Sequence, residues 1–408
     1  MPLRAAIPAD IQPLAELWDQ AFPGERTLAE RARQLELGIP YGGIESVWVL
    51  EDAGRLVGTF KALRFREYIA AAPLAMLGLA AVAVAADARR RGLGRRLCQD
   101  AIRVGRERGD LVSALYPFRP DFYHALGWGL TGELHEFCFR ADALPDAPAR
   151  RHVRAATAAD RAAIADCYAR VAARSNGPIA RAERAWDHHL GQTRACVYDD
   201  GRTRGYLLAR YGRDRAPEAR TLHIHELLAE DDVAYGGLLA WIACQRDQWP
   251  RVRYQARAAE LLALRLRDPR PPGYRPARRL WFPTARVLRG PMIRVLDVAG
   301  ALAARTRWGE RDHALTLRIE VQDAEVPENR GPWILEIERT GAHVRRAQGT
   351  ARAHAGLATD AATFAQIYAG ELLPSAAARL GRAQIEGAAD AIDRAFRVHE
   401  PFWLLDEF

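Results

Sequence analysis

The segment 77–108 constrains the fold of this chain more than any other part of its sequence. It opens with the apolar run 77–84, LGLAAVAV, which predicts a buried strand. A turn rich in arginine and glycine follows at 89–94. Apolar residues then recur at the spacing of one helix face, at Leu93, Leu97, Ala101 and Val104. A strand that leads through a glycine turn into an amphipathic helix predicts an α/β architecture, with helices packed on a sheet.

The turn at 89–94 predicts a site for a phosphate or pyrophosphate group. Gly92 and Gly94 carry no Cβ that would obstruct a ligand. The start of the following helix offers unpaired N–H groups and the positive end of a dipole, and the turn itself carries three arginines. The spacing matches neither GxGxxG nor GxxxxGK(S/T), which disfavours a dinucleotide-binding fold and a nucleoside-triphosphate loop. The plainer interpretation is a solvated basic helix start.

Two motifs resemble the GCN5-related N-acetyltransferases, the GNAT family. The pattern Arg89-x-x-Gly92-x-Gly94 after a strand is similar to the loop with which that family holds the pyrophosphate of coenzyme A. Further along, residues 121–129, DFYHALGWG, resemble the late GNAT segment in which a helix carrying Phe-Tyr precedes a strand. The resemblance implies an α/β (α+β) fold of mixed twisted sheets flanked by helices. It also implies acetyl-CoA as the co-substrate, with no metal.

Composition sets limits on other functions. The 408 residues exceed one ordinary domain and predict two or three. The five cysteines are scattered, odd in number and never spaced as CxxC, which favours a reduced, cytoplasmic setting and disfavours a metal cluster. No apolar run reaches the length of a membrane span, and the N-terminus lacks the apolar core of a secretion signal. The net charge of +8 comes almost wholly from arginines spread along the chain, with Lys61 the only lysine, so nucleic-acid binding is not expected.

The chain divides into three predicted domains. Residues 1–145 hold both motifs and form the predicted catalytic domain. Residues 146–285 form a predicted degenerate second GNAT-like domain. Their opening at 153–160 echoes 3–10 as strand, small residues, Asp and helix, but they lack an arginine–glycine turn. Residues 286–408 resemble a sterol-carrier-protein-like domain that ends in the active-site C-terminus.

The last eight residues, PFWLLDEF, form an unusual tail. An ordinary chain end is polar and frayed, whereas this one is aromatic and rich in leucine up to Phe408. The composition predicts that the tail docks into a groove and that the terminal carboxylate is partly buried.

This order of domains, with an aromatic C-terminus, resembles the enhanced intracellular survival (Eis) family of acetyltransferases. The resemblance implies transfer of acetyl from acetyl-CoA to amines of a cationic small molecule, such as an aminoglycoside, or of lysine. It implies Tyr123 as general acid and the α-carboxylate of Phe408 as general base. It implies coenzyme contacts at Val82, Ala83, Val84, Arg89, Arg90, Arg91, Gly92, Leu93, Gly94 and Arg95. Because relatives form large symmetric assemblies, it also implies a homo-oligomer, with a hexamer as one form.

Each of these roles has a plainer structural alternative. Tyr123 could be a core aromatic, and Phe408 could be a plug that only seals the groove. Glu407 could bind a second ammonium of the acceptor or simply face solvent. His223 and His225 share one strand face, but without an evident third ligand they fit a surface pair better than a zinc site.

One departure from the family pattern concerns the coenzyme arm. Pro120 removes an N–H just before the Tyr123 segment, where relatives contact the pantetheine arm, although Phe118 could still pack on it. The alternative functions are a non-catalytic CoA- or lipid-binding protein and a scaffold in a larger assembly.

Overall fold

The computed structural model describes residues 1–22, 24, 26–213, 216–275, 281–308, 314–338, 341–348 and 353–408. The chain packs into two compact units. Unit 1 comprises Met1–Gly132, Asn176–Ala180 and Gly290–Phe408, and unit 2 comprises Glu133–Ser175 and Arg181–Arg289. The chain therefore leaves unit 1 twice and returns to it twice. The three-domain division at 145 and 285 stays a prediction.

Strands and helices are interspersed along the whole chain. The strands of the described residues are β1 Leu3–Ala5, β2 Val47–Asp52, β3 Arg55–Ile69, β4 Ala72–Val84, β5 Val112–Leu115, β6 Gly129–Leu130, β7 Glu133–Arg140, β8 Val153–Ala155, β9 Arg194–Asp199, β10 Thr203–Tyr211, β11 Thr221–Ala229, β12 Arg251–Arg257, β13 Ala285–Arg289, β14 Met292–Val295, β15 Leu315–Gln322, β16 Gly331–Glu338, β17 Gly341–Arg346, β18 Ala355–Asp360 and β19 Ala383–Gly387. The helices are α1 Ile11–Ala21, α2 Leu28–Leu37, α3 Leu93–Glu107, α4 Pro120–His124, α5 Arg161–Ala172, α6 Glu183–Gln192, α7 Asp232–Ala243, α8 Leu262–Arg265, α9 Val298–Ala304, α10 Ala361–Tyr368, α11 Pro374–Arg379 and α12 Ala389–Phe396.

Unit 1 contains a seven-stranded sheet in the order β1-β2-β3-β4-β5-β14-β6. Strands β4 and β5 run parallel, and the other neighbours are antiparallel. A parallel pair needs a crossover connection, which α3 supplies. Strand β14 comes late in the chain and lies between β5 and β6, so the sheet that carries the predicted motifs is completed by a distant segment.

Helix α3 and strand β4 confirm the predicted strand–turn–helix. The helix buries the predicted face of Leu93, Leu97, Ala101 and Val104. Strand β4 begins at Ala72, earlier than the apolar run suggested, because a tight turn at Ala70 and Ala71 joins it to β3. Both turn residues have positive φ, a conformation that glycine or asparagine normally signals. Because both turn residues are alanines, the sequence does not predict the long hairpin of β3 and β4.

Unit 2 contains a second seven-stranded sheet, ordered β13-β7-β12-β11-β10-β9-β8. It too has one parallel pair, β11 and β12. The predicted repeat extends to single hydrogen bonds: Arg4 donates to Asp10 at 2.6 Å in unit 1, and Arg154 donates to Asp160 at 2.8 Å in unit 2. In each case the carboxylate also accepts the backbone N–H three residues earlier.

Unit 1 also contains a five-stranded sheet, β17-β16-β15-β18-β19, in the sterol-carrier-like part of the chain. Strands β15 and β18 are parallel, and α10 packs on both. Buried aromatic rings of Phe364, Tyr368 and Phe396 fill this region. The predicted fold class, mixed sheets flanked by helices, is confirmed.

Candidate active site

Strand β4 bulges and parts from its neighbour at the end that was predicted to contact the coenzyme. The pairing of β3 with β4 slips between Thr59 and Lys61, and opposite that slip Ala81 has a φ of 48°. On its other edge, β4 pairs with β5 over 76–78 only, among the described residues. The edge 79–84 therefore presents backbone groups to an opening between two diverging strands.

Helix α3 begins beside this opening with an exposed N-terminus. Gly92 precedes the helix with a φ of 79°, and a Cβ placed there would meet nothing within 4 Å. The first backbone bond of the helix runs from the Arg96 N–H to the Gly92 carbonyl, at 3.2 Å. The N–H groups of 93–95 therefore have no partner within the helix and add to the positive end of its dipole. This end suits an anion.

The arginines near the turn differ in their partners. Arg89 donates to two backbone carbonyls, each at 3.3 Å. Arg91 lies 3.7 Å from Asp52, and Arg95 pairs with Glu325. The three arginines of the turn, 89–91, are exposed, so their charge remains accessible to a ligand. The pairing of Arg95 makes it the weakest of the predicted coenzyme contacts.

The remaining predicted coenzyme residues present backbone more than side chain. Ala83 is 4% exposed and Leu93 is 6% exposed, and both side chains belong to the hydrophobic core. Val82 and Val84 are half-buried and pack against the same core. Gly94 faces α4, because Phe122 Cζ lies 3.6 Å from where a Cβ at 94 would stand. The turn and the Phe-Tyr segment are thus brought together.

Tyr123 is buried on α4 within an aromatic cluster. Its ring centroid lies 5.0 Å from that of Phe122, 5.7 Å from Phe118 and 6.2 Å from Trp128. Burial raises the pKa of the Tyr123 hydroxyl, and the nearby Cys98 adds to the rise. The hydroxyl is protonated at neutral pH and can donate its proton, and the raised pKa makes it a weaker acid than an ordinary tyrosine.

The C-terminal tail is anchored by the short segment Asn176–Ala180. The Trp403 N–H donates to the Asn176 carbonyl at 3.0 Å, and the Asn176 side-chain amide donates to the Glu400 carbonyl at 3.3 Å. A Cβ on Gly177 would stand 2.3 Å from the Trp403 carbonyl oxygen, so only glycine permits this approach. The tail residues Phe402, Trp403, Leu404 and Asp406 are buried.

The last residues of the tail pack around Tyr116, which directly follows β5. The Tyr116 hydroxyl lies 3.2 Å from both the Leu404 and the Asp406 carbonyl oxygens, and its single proton is shared between these two acceptors. The ring of Phe408 lies 5.7 Å from Tyr116 and 4.9 Å from Phe65 on β3. Tyr41 donates to the Asp406 carboxylate. The tail is therefore docked to its final residue, as its composition predicted.

The predicted acid and base belong to two separate groups of contacts. Tyr123 lies with Phe122 near the turn, and Phe408 lies with Tyr116 and Phe65. Within the described residues, no ring contact or hydrogen bond joins Tyr123 to Phe408 or to the exposed Glu407. A substrate would have to connect them.

Three family profiles match the chain. One described as an acetyltransferase (GNAT) domain matches residues 2–131, another of the same description matches 177–295, and a sterol carrier protein domain matches 298–404. The chain belongs to the GNAT acetyltransferases. Its order of domains is the predicted Eis-like one, with two GNAT domains and a sterol carrier protein domain at the C-terminal end.

Relatives and solved structures agree with this assignment. An uncharacterised N-acetyltransferase from Streptomyces avermitilis is 27% identical, and the match covers 98% of each chain. A GCN5-related N-acetyltransferase from Anabaena variabilis has a TM-score of 0.83 at 20% identity over 100% of both chains. Eis1 from Mycobacterium abscessus has a TM-score of 0.80 at 20% identity, again over 100% of both chains. These two structures share the fold of this acetyltransferase.

The site fits the co-substrate that GNAT acetyltransferases use, acetyl-CoA. The exposed N-terminus of α3 has room for a diphosphate, since residue 92 faces open space. The free edge of β4 offers backbone groups to an extended arm. In the portion of the chain that the structure describes, no group of three or more His, Cys, Asp or Glu side chains is placed to hold a metal, and no helix is long and apolar enough to span a membrane.

Sequence reasoning missed several residues of the site. Tyr116 directly follows β5, which pairs in parallel with β4. Ligands commonly bind at the carboxyl ends of such strands in α/β sheets, so this position could have identified Tyr116 from the sequence. Lys61 was noticed only as the single lysine. Its ammonium donates to the Tyr41 and Gly42 carbonyls at 3.1 and 2.7 Å, and burial lowers its pKa to about 8. Nothing in the sequence distinguished Glu67.

Proposed function

We propose that this acetyltransferase moves the acetyl group of acetyl-CoA to an amine of a cationic small molecule, an aminoglycoside among the candidates, or of a lysine side chain. The observation that carries the proposal is the docked tail. Its final residue, Phe408, reaches Tyr116 at the end of β5, beside the opening that separates β5 from β4. A chain end held there would bring a carboxylate near a thioester bound in that opening.

Acetyl-CoA supplies the acetyl group as a thioester. The turn 89–94 and the first N–H groups of α3 would hold its diphosphate. Backbone N–H groups at Val82 to Val84, on the free edge of β4, would donate to the carbonyl oxygen of the thioester. Tyr123, which is protonated at neutral pH, would give its hydroxyl proton to the departing sulfur.

The α-carboxylate of Phe408 would take the proton from the acceptor ammonium, which cannot attack until it is neutral. A free α-carboxyl has a pKa of roughly 3.3–3.7 and is a weak base. It would therefore act in part by positioning the ammonium. The acidic tail would attract a cationic acceptor, and the exposed Glu407 would bind its second ammonium.

The setting of the reaction completes the proposal. The scattered cysteines, of which Cys98, Cys167 and Cys196 are buried, support a reduced cytoplasmic compartment. The family resemblance supports a homo-oligomer, with a hexamer as one form, and no nucleic-acid partner. Light scattering after gel filtration measures the assembly.

A thiol-release assay tests the function. We expect free CoA thiol to appear when acetyl-CoA is mixed with a polyamine, and we expect one alanine added after Phe408 to lower kcat by about 10²-fold or more, because it moves the carboxylate away. Phe408→Leu is the matched control, since it changes the ring and keeps the terminal carboxylate in place.

Full turnover in the extended protein would remove the carboxylate from the mechanism. If no amine in a broad panel released thiol while acetyl-CoA still bound, the alternative of a non-catalytic CoA-binding protein would replace the proposal.

A further inference from the structure

Glu67 is a buried acid that the proposed chemistry does not use. Its side chain on β3 is 0% exposed, and neither carboxyl oxygen has a hydrogen-bond partner among the described residues. Seven other buried acids among the described residues pair with arginine: Asp10, Asp110, Glu136, Asp160, Glu226, Glu260 and Asp323. Two more, Asp393 and Asp406, accept hydrogen bonds from Ser375 and Tyr41. In an arginine-rich protein, an acid enclosed without such a pair needs a physical explanation.

The segment that anchors the tail also encloses Glu67. Residue 67 itself forms an isolated bridge with Ile179. Next to it, Tyr68 exchanges backbone hydrogen bonds with the 177–178 segment, at 2.6 and 2.9 Å. Asn176, the first residue of the anchoring segment 176–180, accepts a hydrogen bond from the Trp403 N–H through its backbone carbonyl. One side of Glu67 is therefore built from the segment on which the tail rests.

The face of β3 that carries Glu67 also contacts the end of the tail. Phe65 lies two residues earlier, on the same face of β3, and its ring contacts Phe408. Burial raises the pKa of Tyr116, and the charges of Asp406, Glu407 and Glu67 add to that rise in this order. Glu67 and the two acids of the tail thus act on one hydroxyl, which donates to the tail backbone.

The proton on Glu67 matters because the tail is acidic. It brings Asp406, Glu407 and the terminal carboxylate into the neighbourhood of Tyr116. Burial raises the pKa of Glu67 well above its ordinary value, which favours the neutral form of the side chain under the docked tail. The charge of Glu67 raises the pKa of the Tyr116 and Tyr368 hydroxyls, which are themselves neutral groups. The partly buried cation of the same strand, Lys61, donates to the Tyr41 and Gly42 carbonyls.

We infer that Glu67 is a positioning residue for the C-terminal tail: while it keeps its proton the acidic tail stays docked on Tyr116, and once it ionises the tail is released. The inference rests on the proposed function, because the docked tail carries the proposed base. Glu67 acts through Tyr116 and touches neither substrate. The consequence is an alkaline limit on turnover that comes from tail docking and not from the acceptor amine.

Hydrogen exchange of the tail tests this directly in the full-length protein. Protection factors of the 402–408 amides, corrected for the intrinsic effect of pH, are measured by mass spectrometry from pH 6 to pH 10. We expect protection in the wild type to fall at least tenfold as pH rises, and we expect Glu67→Gln, which stays neutral, to change less than twofold. Glu67→Met is a second neutral variant, and Glu107→Gln, an exposed change on α3, should follow the wild type.

A parallel fall in the wild type and in both neutral variants would overturn the inference, and so would a flat wild-type profile. Failure of both neutral variants to fold would overturn it too, because the inference requires the native state to hold a neutral side chain at this position.

Thermal or urea unfolding provides an independent measurement, the free energy of unfolding as a function of pH. The pKa of Glu67 is raised above its ordinary value of 4.5, so its stabilising contribution is full below that pH and is lost as pH rises towards the folded-state pKa. The free energy of unfolding should therefore fall with rising pH more steeply in the wild type than in Glu67→Gln.

Tail protection needs neither acetyl-CoA nor acceptor, so the two proposals can fail separately. A protein with a pH-dependent tail and no turnover would contradict the function alone. An active enzyme whose tail exchange does not respond to Glu67 would contradict only the positioning role. If both hold, kcat should decline with the same midpoint as tail protection, and Glu67→Gln should lose that decline while its KM for acetyl-CoA stays unchanged.

Discussion

The strand-to-helix junctions β4–α3 in unit 1 and β11–α7 in unit 2 share one topology and differ at the first turn of the helix. In unit 1, Gly92 leaves the helix N-terminus open. In unit 2, the Asp231 carboxylate accepts the N–H groups of Val233 and Ala234, at 3.0 and 2.9 Å. The second helix therefore satisfies its own donors and places negative charge where the first would hold a diphosphate.

The strand bulge persists in both junctions, but its surroundings differ. The pairing of β10 with β11 slips between Leu208 and Ala209, much as β3 and β4 slip. Beside that slip in unit 2, Glu226 is buried in an ion pair with Arg181. The comparison teaches that this fold supplies the bulge and the diverging strands, while a few side chains decide whether the opening can take a ligand.

The largest effect should come from Tyr123 on α4, the helix that lies beside the first turn of α3. We expect Tyr123→Phe to lower kcat by about 10²-fold and to leave the KM for acetyl-CoA unchanged, because it removes a proton donor and little packing. Tyr206→Phe in unit 2 is the matched control: it removes a hydroxyl that donates to Glu226, so it should cost about 1 kcal/mol of stability and leave kcat alone. Equal losses of kcat in both variants would break the comparison.

A smaller effect is expected when unit 1 receives the acid of unit 2. Gly92→Asp should weaken acetyl-CoA binding by about 30-fold, equivalent to about 2 kcal/mol, because a carboxylate would face the diphosphate. Gly92→Asn has nearly the same shape, tolerates positive φ and carries no charge, so its loss should be several times smaller. Calorimetric titration measures both, and an unchanged Kd for Gly92→Asp would place the diphosphate elsewhere.

The smallest effect is expected from the cap of unit 2. Asp231→Ala should lower the free energy of unfolding by about 1 kcal/mol, because two backbone donors lose their acceptor. Asp231→Asn keeps a capping side chain and should lose less. Neither variant should alter the Kd of acetyl-CoA. A second equivalent of acetyl-CoA bound by Asp231→Ala would show that one carboxylate alone closes the second junction.

Local sequence patterns predicted much of the fold and of the candidate site. The apolar run, the glycine turn and the helix face at 77–108 predicted β4 and α3, because hydrophobic periodicity and glycine conformation act over a few residues. The echo of Arg4 and Asp10 in Arg154 and Asp160 predicted the repeated architecture for the same reason. The absence of an arginine–glycine turn in the second half was also visible, although the capping role of Asp231 was not.

The sequence by itself determined the signature strand and helix, the repeated architecture, the arginine–glycine turn and the unusual apolar tail. Only the tertiary structure decided what meets that tail. Tyr41 and Asp406 form a hydrogen bond although they lie 365 residues apart in the chain, and no local pattern encodes such a contact. The enclosure of Glu67 likewise depends on β3, the 176–180 segment and the tail together. Burial is a property of the packed chain, and it raises the pKa of Glu67 in a way that no single segment could reveal.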